Sequence, residues 1–179
     1  ASGNEYQRID EMKATKANFI LPLEFPQAMD LEDPTDARFI NVADMKHWEL
    51  APTNPASFEK AGLSFALTAN GLKDVNSFMP NLRKAIQYGL SEQKALEALT
   101  TIPASIVGKS DEIGSLNKGS FANFVITSGA IFDEKTILYE NWVQGSKFVV
   151  NDITSIDIRG NYDLTVDSKT YKWKIEGEI

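Results

Sequence analysis

The sequence predicts an α/β region over residues 1–112 followed by an all-β region over residues 113–179. Two short apolar runs, residues 18–21 and 63–68, lie between amphipathic segments, as in parallel sheets whose strands alternate with helices. From residue 113 onward, glycine turns and short apolar runs replace the helical pattern, and apolar residues alternate at 162–166 and 171–175, which is typical of strands with one buried face. We therefore expect two domains with a boundary near residue 112.

The first region is predicted to hold helices at 3–17, 41–50, 54–61, 76–90 and 91–99. Five helices are expected to be capped by a side-chain oxygen, from Asn4, Asn41, Asn54, either Asn76 or Ser77, and Ser91. Pro55 suits the first helical position, and Gly62 is expected to end the same helix. The expected buried positions of the last two helices are Leu82, Ala85, Ile86, Leu90, Ala95, Leu96 and Leu99.

A long acidic loop punctuated by prolines follows the first strand. It carries four carboxylates: Asp30, Glu32, Asp33 and Asp36. Their spacing matches no calcium-binding loop and lacks the central glycine that such loops use. We therefore expect a solvated loop over the end of the sheet rather than a metal site.

The second region is predicted to begin with a strand at residues 121–127. A hairpin over residues 137–150, with its turn at 143–146, follows it, and a second hairpin over residues 162–175 turns at 167–169. The second hairpin belongs to a tail, residues 152–179, that is rich in tyrosine and tryptophan. Aromatic packing on one face of a sheet is the favoured interpretation of this tail, with a ligand platform as the alternative.

Composition excludes several classes of protein. The net charge of −7 argues against a nucleic-acid partner, and no apolar run reaches the ~20 residues needed to cross a bilayer, so a soluble cytoplasmic or periplasmic protein is expected. The absence of cysteine excludes disulfides, thiol catalysis and cysteine-bound zinc. The one histidine, His47, cannot build a multi-histidine metal centre within this chain, and we expect it to be a surface or packing residue beside Trp48.

Several spaced motifs in the centre of the chain resemble one enzyme family. They are ALEALTTIPA at 95–104, Gly108, IGSLNKG at 113–119 and ANFVI at 122–126. In this order they resemble the C-terminal third of metal-dependent amidohydrolases, with closest similarity to the imidazolonepropionase-like branch. Upstream, FALTANG at 65–71 is similar to the end of the last barrel strand of that family.

The resemblance implies a (β/α)8 TIM-type barrel with a small composite β-sandwich. Family members hold one or two divalent metals, usually zinc, at the carboxyl end of the barrel, and hydrolyse an amide or cyclic amide C–N bond of a small-molecule substrate. An aspartate at the end of the eighth strand binds the metal and accepts a proton from water. Asn70 stands at the position that the resemblance assigns to this aspartate.

The chain departs from the family pattern in three ways. Asn70 is a neutral amide, no histidine lies near residues 19–21, and 179 residues are fewer than the ~250 of a barrel. We therefore expect a fragment that contains the last βα units of a barrel, carries no metal ligands or cofactor of its own, and is inactive alone. Self-association, or contact with the missing part of the barrel, is expected of such a piece.

Three hypotheses remain open at this point. The chain could be the C-terminal region of an active amidohydrolase, a pseudo-enzyme or binding module that keeps the fold without the acid, or a structural β domain with attached helices. Asp74, four residues beyond Asn70, is a poor substitute for the missing carboxylate unless the loop folds back.

Overall fold

The computed structural model of the chain describes residues 2–30, 32, 38–152 and 159–177. Within these residues the chain is mixed α/β, with three separate small sheets. Asp33 and Asp36 of the acidic loop lie outside the described residues, so the expectation for that loop stays a prediction.

The first half alternates helices with two short strands. Its helices are α1 (Ile9–Thr15), α2 (Val42–Leu50), α3 (Asn54–Lys60), α4 (Phe78–Gln87), α5 (Glu92–Leu99) and α6 (Thr101–Ile106). Three 3₁₀ turns lead into α1, α3 and α4: Glu5–Arg8, Ala51–Thr53 and Val75–Ser77. The strands are β1 (Phe19–Pro22) and β2 (Phe65–Thr68).

Strands β1 and β2 pair in parallel, as their apolar sequences predict. Phe19 lies opposite Phe65 and Pro22 lies opposite Thr68. Because the strands run in the same direction, their carboxyl ends meet at one edge of the sheet, and the loops that follow them lie side by side there.

The core of this half is built around Phe58 of α3. Its ring is fully buried and meets the rings of Phe19 and Phe65 edge to face, with centroids 5.1 Å and 5.8 Å away. Such aromatic pairs add stability beyond the area that they bury. They connect α3 to both strands of the parallel pair.

Helices α4 and α5 cover this core. The predicted burial of Leu82, Ala85 and Leu90 is confirmed, but the prediction for Leu96 is wrong, because its side chain is half exposed. Ala98 is buried instead, since it lies three residues after the buried Ala95 on the same side of α5.

The helix caps were predicted with mixed success. Asn41 and Ser91 are confirmed, because their side chains accept the backbone N–H groups of Asp44 (2.8 Å) and Lys94 (3.1 Å). Asn4 makes no capping hydrogen bond, and Asn54 lies inside the first turn of α3 with its side chain buried. The cap expected at Asn76 or Ser77 is wrong as well, because Ser77 makes no capping hydrogen bond and Asp74 caps the preceding 3₁₀ turn. For Asn54, a tertiary contact described below takes the side chain away from the helix end.

The second half contains a three-stranded antiparallel sheet in the order β3-β4-β5. The strands are β3 (Phe124–Thr127), β4 (Leu138–Val143) and β5 (Ser146–Val149). The predicted turn between β4 and β5 is confirmed, with positive φ at both Gln144 and Gly145, as a two-residue hairpin turn of type I′ requires. Strand β3 begins later than predicted because the Phe121 N–H donates to the Glu112 carbonyl (2.8 Å), which holds that residue in the connecting loop.

The tail forms the second predicted hairpin, β6 (Gly160–Val166) and β7 (Lys169–Ile175). Tyr162 lies opposite Trp173 and Leu164 lies opposite Tyr171, so the apolar residues share one face. The expected burial of this face is wrong: the side chain of Trp173, for example, is 62% exposed. Alternation shows which residues share a face, but burial also needs a second layer, and the described residues place none over this face. The β-sandwich and the domain boundary near residue 112 therefore stay predictions.

A glycine turn holds the second half against the end of the first. Gly114 has a φ of +84°, and a β-carbon there would lie 2.7 Å from both the Thr100 carbonyl oxygen and the Ala104 β-carbon. Only glycine fits this backbone against α6. The spacing of Thr100, Ala104 and Gly114 in the motifs noted above thus has a packing explanation. Among the described helices, none has the length and apolar character needed to cross a membrane.

Candidate functional site

The candidate site lies where β1 and β2 end. The Leu23 N–H donates to the Thr68 carbonyl (3.3 Å), which continues the parallel pairing just beyond both strands. The chain then turns after β2, with the Leu72 N–H donating to the Ala69 carbonyl (3.1 Å). Asn70 stands in this turn, exposed, and its backbone N–H donates to the Thr68 hydroxyl (3.1 Å).

Two cavities open at this edge of the sheet. The smaller, of 350 Å³, is lined by residues from both strand ends, including Ile20, Glu24, Thr68, Asn70 and Gly71. The larger, of 430 Å³, extends from Glu24 over the loop after β2 and reaches α4. Glu24 and Ser2 line both cavities. Cavities at the carboxyl ends of parallel strands are the usual location of ligand sites in α/β proteins.

Asn70 thus lies just beyond the carboxyl end of β2 and lines the smaller cavity. Its side chain carries one carbonyl acceptor and one NH₂ donor group. Such an amide can orient a water molecule or a substrate, but it does not take up a proton near neutral pH. A functional role for Asn70 stays a prediction.

Glu24 is a residue of the site that the sequence reasoning did not identify. It follows β1 by two residues and lies between Leu23 and Phe25, both of which are buried. The sequence does carry a signal for Glu24: this acidic residue stands between two apolar residues directly after a buried strand. Pro22 and Pro26 flank this segment, so the sequence alone favours a loop there.

Asp74 lines the larger cavity but is engaged in the backbone. Its carboxylate accepts the Asn76 N–H (2.9 Å) and caps the 3₁₀ turn Val75–Ser77. Asp74 does not line the smaller cavity that holds Asn70. This arrangement agrees with the expectation that Asp74 is a poor substitute for the missing carboxylate.

His47 borders the larger cavity and contacts Tyr6. The His47 Nδ1 and the Tyr6 hydroxyl are 3.0 Å apart, and the two rings stack with centroids 6.0 Å apart and planes inclined by 10°. This contact joins α2 to the N-terminal 3₁₀ turn. It agrees with the expectation that His47 is a packing residue.

A buried polar cluster joins the N-terminal turn to α3 behind the cavities. The Asn54 side chain accepts the Tyr6 N–H (2.7 Å) and donates to Glu5 Oε2 (2.9 Å), while the backbone N–H groups of Ser2 and Gly3 also donate to the Glu5 carboxylate. Burial raises the pKa of Glu5, but the hydrogen bonds from Ser2 and Asn54 outweigh it and hold the pKa below its usual value. The cluster therefore keeps Glu5 ionised.

The described residues do not fit a divalent metal. Nowhere in residues 2–30, 32, 38–152 and 159–177 do three or more histidine, aspartate or glutamate side chains come together in a group able to hold one. At the strand ends the donors are one carboxylate and one neutral amide, whereas hydrolytic metal centres use several imidazole and carboxylate ligands. No catalytic step can therefore be derived through a metal held by these residues.

A sequence profile of the amidohydrolase family matches residues 53–160, which is more than half of the chain. The chain belongs to the amidohydrolase family. The match includes α3, β2 and Asn70, the helices α4 to α6, and the three-stranded sheet. No curated protein matches the chain.

Solved structures agree with the family assignment at the level of the fold. An amidohydrolase from Thermotoga maritima MSB8 superposes with a TM-score of 0.63 at 23% identity, over 82% of this chain and 35% of its own. A prolidase complexed with N-methylphosphonate-L-proline superposes with a TM-score of 0.57 at 17% identity, over 80% of this chain and 38% of its own. The chain thus spans about a third of the length of these amidohydrolase-like structures.

Proposed function

We propose that this chain is the C-terminal part of an amidohydrolase barrel together with its adjoining β domain. The observation that carries the proposal is the position of Asn70. It lies within the family match and at the carboxyl end of a parallel strand pair, where barrel enzymes place catalytic residues. On this proposal β1 and β2 are the last two barrel strands, and β3–β5 belong to the small β-sandwich.

The proposed activity of the whole protein is hydrolysis of an amide or cyclic amide C–N bond in a small-molecule substrate. The motifs in residues 95–126 favour the imidazolonepropionase-like branch. A divalent metal, zinc in the first instance, would have to be held by ligands other than the described residues of this chain. By itself the chain is proposed to be inactive.

A second candidate is a pseudo-enzyme or binding module that keeps the fold. Two observations favour it: position 70 is an amide, and the described residues bring no metal-binding group together at the strand ends. A protein of this kind would still bind a small molecule in the cavities at the carboxyl ends of β1 and β2.

One experiment separates the two candidates. The natural protein that carries this chain is assayed for bound metal and for hydrolysis of a panel of cyclic amides and N-acyl amino acids. Asn70→Ala and Asn70→Asp variants are assayed beside Asn117→Ala, an exposed asparagine in a distant loop. The hydrolase proposal expects wild-type hydrolysis that falls in Asn70→Ala and is unchanged in Asn117→Ala.

The other possible results of this experiment also decide between the two candidate functions. Activity that appears only in Asn70→Asp would support the pseudo-enzyme, because restoring the carboxylate would then restore a lost reaction. Wild-type activity that survives Asn70→Ala would contradict a role for this position. No hydrolysis by any variant would contradict the hydrolase proposal.

A further inference from the structure

Glu24 and Asn70 line the same cavity at the carboxyl ends of β1 and β2. Pro22 lies opposite Thr68 at the last pair of the sheet, and the Leu23 N–H to Thr68 carbonyl bond continues the pairing. Beyond this bond the chain after β2 turns, and the Glu24 β-carbon lies 3.8 Å from the position of a β-carbon on Gly71, the residue that follows Asn70. Glu24 and Asn70 therefore lie at the same end of the sheet and line the same cavity.

The backbone that carries Glu24 is held on both sides. Leu23 is fully buried, its carbonyl accepts the Asn81 side-chain amide (2.7 Å), and Phe25 is buried with the Lys84 ammonium 6.0 Å from its ring centroid. With its two neighbours turned into the protein, Glu24 is turned outward to the cavities. The backbone at residue 24 therefore has the fixed position from which a catalytic group must extend.

Gly71 leaves the space into which the Glu24 carboxylate extends. A β-carbon built on Gly71 would lie 2.6 Å from Glu24 Oε2, closer than any real contact allows. The carboxylate therefore lies over the backbone of the residue that follows Asn70. None of the described residues donates a hydrogen bond to this carboxylate or forms an ion pair with it, and Glu24 lines both cavities.

We propose that the Glu24 carboxylate accepts the proton of the attacking water, which the Asn70 amide cannot do. This inference rests on the proposed hydrolysis of an amide C–N bond. Water in the smaller cavity attacks the amide carbon and gives one proton to the Glu24 carboxylate while the new C–O bond forms. The C–N bond then breaks, and Glu24 returns the proton to the leaving nitrogen, so that one water molecule is consumed and an amine and a carboxylic acid are released. Asn70 orients the water or the amide through its side chain.

The first arm of the test measures how close residues 24 and 70 lie, and it does not depend on enzymatic activity. The chain has no native cysteine, so a Glu24→Cys/Asn70→Cys double variant can form a single intramolecular disulfide. The Glu24 β-carbon lies 3.8 Å from the position of a β-carbon on Gly71, the residue next to Asn70, so cysteines at positions 24 and 70 are close enough to meet. We expect a mass loss of two hydrogens on mild oxidation, and none in the Glu24→Cys/Asn117→Cys control. Failure of the first pair to close would overturn the placement.

The second arm measures catalysis in the natural protein that carries the chain. Glu24→Gln is expected to lower kcat by roughly 10²–10⁴-fold with little change in KM, because it removes a proton acceptor while keeping the shape of the side chain. Glu24→Asp should recover part of the rate. Glu92→Gln, an exposed carboxylate in the first turn of α5, is the matched control and should leave kcat unchanged.

The two arms distinguish a failure of the role proposed for Glu24 from a failure of the proposed function. A disulfide that closes, together with a Glu24→Gln variant of unchanged kcat, would overturn the role of Glu24 and leave the proposed function standing. Absence of hydrolysis in the wild-type protein would overturn the proposed function and the role of Glu24 with it, while the disulfide would still report the position of the carboxylate.

Discussion

The buried contact between Glu5 and Asn54 allows a quantitative prediction about stability. Asn54 is 1% exposed and makes two hydrogen bonds to the N-terminal turn, one to the Tyr6 N–H and one to the ionised Glu5 carboxylate. Asn54→Ala removes both bonds and leaves their partners in a site with little access to water. The change is small enough to keep α3 intact, because alanine is the best helix former.

The size of the effect follows from the two bonds. A neutral hydrogen bond contributes about 0.5–1.5 kcal/mol and a bond to a charged group about 1.5–3 kcal/mol, so the free energy of unfolding should fall by about 3 kcal/mol at pH 7. With a denaturant slope of about 2 kcal/mol per molar urea, the midpoint of unfolding should fall by about 1.5 M. Asn117→Ala, an exposed asparagine, should change the free energy by less than about 0.5 kcal/mol.

The pH dependence of the stability lost in Asn54→Ala tests whether the bond to the ionised Glu5 carboxylate causes that loss. The pKa of Glu5 is lowered in the folded chain, so its stabilising contribution is fully present above the unfolded pKa of about 4.3 and is lost as the pH falls through the folded pKa. The destabilisation by Asn54→Ala should therefore be smaller near pH 3 than at pH 7. Urea titrations at both values measure this. An equal loss at the two pH values, or a loss under about 1 kcal/mol at pH 7, would refute the reasoning.

Four further predictions concern packing, metal content and association. Phe58→Ala should lower the free energy of unfolding by about 3–5 kcal/mol in urea titrations, whereas Phe39→Ala, at a side chain 82% exposed, should have little effect. Gly114→Ala should destabilise the chain more than Gly62→Ala, because both have positive φ but only Gly114 lies against neighbouring atoms; equal melting temperatures would contradict this. The purified chain should carry no stoichiometric zinc by elemental analysis, and one bound equivalent would show that ligands were missed. Light scattering should show self-association, driven by the exposed apolar face of the β6–β7 hairpin, and a clean monomer would argue against it.

The strands and turns were predictable because their signals are local. Apolar runs identified β1 and β2, alternation identified the second hairpin, and Gln144-Gly145 marked a turn that needs positive φ at both residues. Ser91 could be assigned as a cap for the same reason, because its partner is three residues away.

The contacts that were mispredicted depend on distant residues. Asn54 resembled a cap, but a partner 49 residues earlier in the chain takes its side chain, and no local pattern reports that pairing. Glu24 resembles a loop residue in the sequence, and only the fold shows that it lines a cavity with Asn70 and approaches Gly71. The apolar face of the tail hairpin was expected to be buried, because alternation identifies a face and carries no information about what covers it.

The close approach of Glu24 and Gly71 has a consequence for how these positions can vary. The carboxylate of Glu24 and a side chain at residue 71 would compete for the same volume, so a residue other than glycine at 71 would require the Glu24 side chain to shift. Relatives with a residue larger than glycine at the position of Gly71 should carry a shorter side chain at the position of Glu24, or turn it away from the cavity. A carboxylate at residue 70 would also lie beside Glu24, and two like charges at that distance repel each other. Amide at 70, glycine at 71 and glutamate at 24 thus form one compatible combination, in which a single negative charge occupies the mouth of the cavity.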